Sequence, residues 1–271
     1  MHLGRDRVIG AWEVDGVLID PGPESCLETV LAALSAEPRA LLLTHIHLDH
    51  AGATGALVRR FPDLRVYVHA LGAPHLVDPS RLLASATRLY GEDMERLWGE
   101  VLPVPEQRIV ALRGGETVEG FQVARTLGHA KHHVCYLDPD RGDAYLGDMG
   151  GVRIPPSELI LLPTPPPEID LEAWRRSLDT IAAWEPGSLR LAHFGAVDEP
   201  AAHLARCAER IARLDGLARD GDGPRFLAEI DREIEQGSGP VPASRYLQAA
   251  PPEQLWAGLD RYRRRVVEGG A

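Results

Sequence analysis

In the stretch Thr44-His45-Ile46-His47-Leu48-Asp49-His50-Ala51-Gly52, four side chains able to ligate a metal fall within six positions. The apolar run Ala40–Thr44 before it is too short for a helix and predicts a strand buried on both faces. In extended chain, residues two apart project to the same side, so His45 and His47 can present their imidazoles to one point. Asp49 and His50 follow as the chain turns into the next helix and point to a neighbouring place. This spacing supplies ligands for two metals. Imidazoles shielded from water at the end of a buried strand need a metal or a hydrogen-bond partner, which a solvated histidine loop would not provide.

Three further residues at or just after predicted strands can complete the shells: His129 in Leu127-Gly128-His129, Asp148 in Leu146-Gly147-Asp148, and His193 in Leu191-Ala192-His193. The order T-H-x-H-x-D-H-x-G, then G-H, then G-D, then a late histidine resembles the metallo-β-lactamase superfamily. The resemblance covers roughly Val8 to Gly195. It implies an α/β fold, an αββα sandwich with metals at one edge of two sheets. It also implies one metal on His45, His47 and His129, another on Asp49, His50 and His193, and Asp148 between them. The family's second G-H is half kept, because His133 matches its histidine and His132 stands where glycine is usual. Structural roles are expected for both, and a surface or core role for His69 and His75, while His2 and His203 carry no signal.

Two divalent cations roughly 3.5–4 Å apart can share a water, lower its pKa towards about 7 and polarise the oxygen under attack. The expectation is a dinuclear metal-dependent hydrolase using a metal-bridging hydroxide. The imidazole-rich donor set favours zinc, with iron or manganese as alternatives. Asp49 is the candidate catalytic residue, able to hold the hydroxide in line or take a proton. No G-x-S-x-G elbow, H-E-x-x-H helix, G-x-x-x-x-G-K phosphate loop or G-x-G-x-x-G fingerprint offers other machinery.

Within the resembled superfamily, flavin-linked diiron reductases carry glutamate at the position of His47, the common β-lactamases carry cysteine at that of Asp148, and nucleases add a basic arm. What remains is a glyoxalase II-like or lactonase-like enzyme for an ester, thioester or lactone. A mononuclear iron persulfide dioxygenase and a phosphodiesterase are the alternatives. Lys131 is the nearest cation to the motif. Tyr90, Met94 and Trp98, with the proline-rich loop, are candidate pocket walls that would suit an apolar acyl group.

These residues need a scaffold, and 271 residues with 44% hydrophobic and 25% charged composition are enough for a large core. Val8–Asp20 predicts a hairpin turning at Asp15-Gly16. Ser25 with Glu28 predicts a capping box for a helix to Ser35. Helix (Gly52–Arg60), strand (Arg65–His69) and helix (Pro79–Trp98) follow, then β-rich pieces from Ile109 to Leu146. Six prolines in Pro155–Pro167 predict an extended surface loop or flap. Asp170 caps a helix with Leu171, Trp174, Leu178, Ile181 and Trp184 on one face, and Leu189–Ala192 is a strand. Residues 1–198 read as the catalytic core and 199–271 as a helical C-terminal extension over Ala201–Arg219, Arg225–Gln236 and Glu253–Val267. Its stripe of Leu204, Ile211, Leu214 and Leu217 suits internal packing or a homodimer face.

The net charge of -11 disfavours nucleic acid and anionic membrane as partners. The basic run Arg261, Arg263, Arg264 and Arg265 reads as the solvated face of a last helix. Cys26, Cys135 and Cys207 form no C-x-x-C pair or disulfide framework. With no apolar leader or spanning segment, a cytoplasmic protein acting on a small molecule is expected.

Overall fold

The computed structural model of the chain describes residues 2–220 and 222–269. The opening hairpin forms as expected, with β1 (Trp12–Val14) antiparallel to β2 (Val17–Ile19). The apolar runs β3 (Ala40–Leu42), β4 (Arg65–His69) and β5 (Ile109–Leu112) then join β2 in parallel, giving the sheet order β1-β2-β3-β4-β5.

A second sheet is built from β6 (Thr117–Val118), β7 (Phe121–Arg125), β8 (Val134–Asp138), β9 (Asp143–Val152), β10 (Ser188–His193) and β11 (Gly195–Val197). Its order is β11-β10-β9-β8-β7-β6, and within it β9 and β10 run parallel.

Alternation along the strands assigns the layers. Val17, Ile19, Ala40 and Leu42 meet Phe121, Val123, Tyr136 and Tyr145 between the sheets. Leu18, Leu41 and Leu43 face the other way, towards Leu57 and Val58 of the helical layer. That layer comprises α1 (Leu27–Ala33), α2 (Leu48–Ala51), α3 (Thr54–Arg60), α4 (Ala73–Val77), α5 (Ser80–Tyr90) and α6 (Met94–Trp98). The outer face of the second sheet is covered by α7 (Leu171–Ala182), α8 (Pro200–Asp220), α9 (Gly223–Gly237), α10 (Ala243–Ala249) and α11 (Pro252–Gly269). The result is the αββα sandwich.

Two local expectations are corrected. Ser25 lies in a 3-10 turn, and its hydroxyl donates to the Leu97 carbonyl (2.6 Å), so α1 starts at Leu27 without a side-chain cap. The partner that draws Ser25 away is distant in sequence. The proline-rich segment is no surface flap, because Ile160 to Thr164 are buried. Thr164 Oγ1 donates to the Leu255 carbonyl of α11 (3.0 Å), and Ser157 Oγ donates to the Gly237 carbonyl of α9 (2.9 Å). Asp170 does cap α7, accepting from the Ala173 amide (2.9 Å).

Leu204, Ile211 and Leu214 are buried in the core beneath α8, and Leu217 packs against it. The basic run at the C-terminal end is anchored: Arg261 and Arg265 donate to the carbonyls of Pro167 and Ile169, Arg263 bonds Asp215, and Arg264 bonds Asp260. No helix among the described residues is long and apolar enough to cross a membrane.

Candidate metal centre

All seven predicted ligands converge at one edge of the two sheets. They form two donor groups, His45, His47, His129 and Asp148 in one and Asp49, His50 and His193 in the other, with atoms in each group within 4.8 Å of one another. In the first group His47 Nδ1 lies 3.1 Å from His45 Nε2 and 2.9 Å from His129 Nε2. Asp148 divides its carboxylate between the groups. Its Oδ2 lies 3.1 Å from His129 Nε2 and 3.9 Å from His45 Nε2, while its Oδ1 lies 3.1 Å from His50 Nε2 and 3.2 Å from His193 Nε2. Asp49 Oδ2 stands 3.5 Å from His193 Nε2 and 3.7 Å from His50 Nε2.

Local structure explains each placement. His45 and His47 leave the end of β3, while Asp49 and His50 belong to the single turn of α2. His129 lies between β7 and β8, preceded by Gly128 at φ +138°, where a Cβ would sit 2.4 Å from the Trp174 Cβ. Glycine is required by both the dihedral and the close approach of α7. Asp148 occupies a bulge: Leu191 pairs with Gly147 and His193 with Val152, so residues 148–151 oppose Ala192 alone. Such a bulge frees a side chain from the ladder and re-aims it.

Four of the five ligand imidazoles, those of His45, His50, His129 and His193, are held from behind, through the nitrogen that faces away from the centre. His129 Nδ1 donates to the Pro163 carbonyl (2.8 Å) and His193 Nδ1 to the Val8 carbonyl (2.6 Å). His50 Nδ1 donates to Asp20 Oδ2 (2.9 Å). Thr44 Oγ1 donates to that same oxygen (2.6 Å), leaving the hydroxyl to accept from His45 Nδ1 (3.1 Å). Carbonyls and carboxylates only accept, so these bonds fix the tautomer and turn the Nε2 lone pairs inward.

Sequence reasoning missed Asp20. It is buried just after β2, and besides these bonds it accepts from the Thr44 amide (2.8 Å). A carboxylate immediately following the apolar run Val17-Leu18-Ile19 was the available signal.

The donor set fits a pair of divalent metals. His50 Nε2, His193 Nε2 and Asp148 Oδ1 are buried without a hydrogen-bond partner among the described residues, although they face one another. Buried polar atoms left this way are costly unless a cation takes their lone pairs. The charge states of the two groups differ. Burial, with His50 and His47 close by, keeps His45 well below the ordinary imidazole value, and burial beside His129 pushes His47 down to about 3. Burial also lowers His129. In the second group burial opposes charge, yet Asp148 and Asp49 outweigh it and push His193 up to about 10, and with Asp20 they raise His50 well above its usual range. Asp49 is held low by His50 and His193 despite burial.

The remaining histidines stay outside both donor groups. His133 bonds Thr126 Oγ1 through Nδ1 (2.9 Å) and stacks behind His45. His132 lines the adjoining cavity, with Nε2 4.0 Å from Glu168. His69 Nδ1 accepts from the Leu71 amide, and His75 reaches the cavity. His2 and His203 are buried rather than featureless. His2 stacks on Trp98, and His203 bonds the Gly150 carbonyl.

A cavity of about 750 Å³ opens onto the centre at His47, Asp49 and Asp148. Tyr90, Trp98 and Pro163 line it as expected, but Met94 packs in a small cluster beside it with Leu48 and Trp98. Lys131 does not line it and pairs instead with Glu168 (3.7 Å). Burial, with Asp49 nearby, raises the Tyr90 phenol, so it stays a neutral hydroxyl near neutral pH.

The sequence profile of the family described as the metallo-beta-lactamase superfamily matches residues 14–187, a span that includes every candidate ligand except His193. A hydroxyacylglutathione hydrolase of Thermosynechococcus vestitus is 31% identical over 134 residues, which is 48% of this chain and 42% of that protein. The chain spans less than half the length of such relatives. A metallo-beta-lactamase family protein from Thermus thermophilus superposes on 96% of this chain and 88% of its own, with TM-score 0.63 at 21% identity. Another solved protein, crystallised in a di-iron-bound form, is 29% identical, covers 73% of this chain and 93% of its own, and has TM-score 0.54.

Proposed function

The chain belongs to the metallo-β-lactamase superfamily, and from that premise we propose that it is a metal-dependent hydrolase whose seven ligands hold a dinuclear centre that cleaves an ester, thioester or lactone. One observation carries the dinuclear reading: the two oxygens of Asp148 address different donor groups. Relatives named hydroxyacylglutathione hydrolase support acyl transfer to water. Zinc is the proposed metal, with iron the first alternative given the di-iron relative. The cysteine pattern extends the proposal to a cytoplasmic location.

Bound divalent cations would supply Lewis-acid polarisation of the acyl oxygen and a more acidic water. The chain's own residues do the rest. Asp49 is only partly buried and borders the cavity, so its carboxylate can face both the centre and the substrate. From there it orients the attacking water and receives a proton. The Tyr90 hydroxyl, which donates to Gln254 Oε1 at 3.5 Å, is a further donor lining the cavity.

The test is removal of metal by a chelator, reloading with zinc, iron or manganese, and assay against ester, thioester, lactone and phosphodiester panels. Hydrolysis of an acyl substrate should vanish on chelation and return with two equivalents of metal. Asp49→Asn should lower kcat at least ~100-fold at full occupancy, and unchanged turnover would refute its role. One iron per chain with oxygen consumption on persulfides, or activity confined to phosphodiesters, would replace this reading.

A further inference from the structure

Resting on that hydrolase reading, we infer that the preferred substrate joins a medium-length apolar acyl group to an anionic carrier, with the acyl group seated in the cavity and the carrier read by Arg5 and Arg81. The cavity carries a large apolar share of wall from Leu48, Leu82, Ala86, Trp98, Pro163 and Leu255. Two of the chain's exposed large hydrophobic residues, Leu89 (41% exposed) and Leu247 (40%), border this same cavity from α5 and α10. Apolar surface left open at a cavity mouth marks a ligand that covers it.

The charges on and around the cavity complete the case. Arg96 is paired with Asp93 and Lys131 with Glu168. Arg5 and Arg81 also line the cavity, and neither forms a direct ion pair among the described residues; the Arg5 side chain donates to the neutral Gln248 Oε1 (2.7 Å), and Arg81 lies near enough to Asp78 to help, after the bonds from Ser80, to hold that carboxyl low. Two guanidinium groups outside any direct ion pair, lining one cavity in a chain of net charge -11, offer an anion its seat. Carboxylate and phosphate satisfy them equally. In the step itself a water oxygen bonds to the acyl carbon, the C–S or C–O bond to the carrier breaks, and the leaving group takes up the proton that water gives.

The test uses the metal-loaded full chain with acetyl, butyryl, hexanoyl and octanoyl thioesters of glutathione, coenzyme A and neutral N-acetylcysteamine. Each added methylene should raise kcat/KM about fourfold until the cavity is filled, at least ~50-fold from butyryl to octanoyl. Ala86→Phe should shift the optimum to shorter chains. Both anionic carriers or one of them should exceed the neutral carrier at equal chain length; preference for glutathione would indicate carboxylate recognition, and preference for coenzyme A phosphate recognition. Arg5→Ala with Arg81→Ala should reduce the anionic-to-neutral ratio at least ~10-fold. A flat chain-length series, or equal use of all three carriers, overturns the inference while leaving the hydrolase reading intact. Should no acyl substrate turn over, the hydrolase reading falls separately. Calorimetric binding of S-octyl against S-ethyl glutathione then decides the acyl seat alone, and equal affinities reject it.

Discussion

Protons and metal ions compete for the same imidazole lone pairs, and only neutral imidazole ligates. In the first donor group burial already keeps His45, His47 and His129 neutral at physiological pH. In the second, carboxylates raise His50 and hold His193 up to about 10, so without metal both carry protons there. The sign follows directly. Below these raised values each unit fall in pH strengthens the proton's hold, weakening metal at the second group by about tenfold per displaced proton, whereas the first group scarcely responds. Chelator competition between pH 6 and 8 should therefore show one nearly pH-independent site and one that tightens as pH rises, with proton release on loading. Two sites of equal pH dependence would contradict this assignment. Asp20 acts on the second group from behind. Asp20→Ala leaves His50 Nδ1 and the Thr44 amide and hydroxyl without their acceptor. The expected result is a 10–100-fold loss of metal affinity, roughly, at that group and about 1–3 kcal/mol of stability, read by metal titration and denaturant unfolding.

At the scale of elements, the centre depends on segments that sequence order keeps apart. The ligands between β3 and the end of α2 are legible in the chain because four of them fall within six positions, whereas of the later three only His193 ends a strand as expected, His129 lying in the loop between β7 and β8 and Asp148 at the bulge inside β9. Asp20 is not legible in that way. Its role depends on β2 lying parallel beside β3, which brings it to Thr44 across 24 positions. The same applies to the proline-rich segment: its composition says only that it is irregular, while its burial comes from helices some 80–90 positions downstream. Arg5 and Arg81 likewise acquire meaning only when the N-terminal segment and α5 meet at the cavity. Within α11, Gly258 packs directly on that segment, where an added Cβ would lie 1.9 Å from the Thr164 carbonyl oxygen. Alanine is ordinarily the better helix former, yet Gly258→Ala should destabilise by about 1–3 kcal/mol through overpacking. It should also weaken metal binding, because the neighbouring Pro163 carbonyl holds His129. Gly216→Ala in α8, where nothing lies within 4 Å, should stabilise by about 0.5–1 kcal/mol. Equal effects of the two substitutions in chemical denaturation would show that α11 does not bear on the site.

For the whole molecule, the change to an all-helical pattern draws a line near residue 198, and one buried cluster spans it. Leu146, Met149, Leu161, Leu162, Trp174 and Leu191 on one side of that line share a single buried cluster with Ile211, Phe226, Ile230, Tyr246 and Leu259 on the other. Fully burying each such side chain contributes about 1.5–3 kcal/mol. A domain's net stability is only about 5–15 kcal/mol. Removing α8–α11 uncovers several of the first group at once and so exceeds what residues 1–198 retain. The polar contacts point the same way, since Tyr246 Oη accepts from the Ile154 amide (3.1 Å) and Leu255 accepts from Thr164. The truncated chain 1–198 should therefore be insoluble, or should bind a hydrophobic dye and lose cooperative melting, and it should not retain two metals. The intact chain should unfold in one calorimetric transition, with the metal released in that same transition. A soluble, cooperatively folded 1–198 fragment that binds both metals would show instead that the C-terminal helices are an accessory to the sandwich, and the shared core would then have to be marginal to its stability.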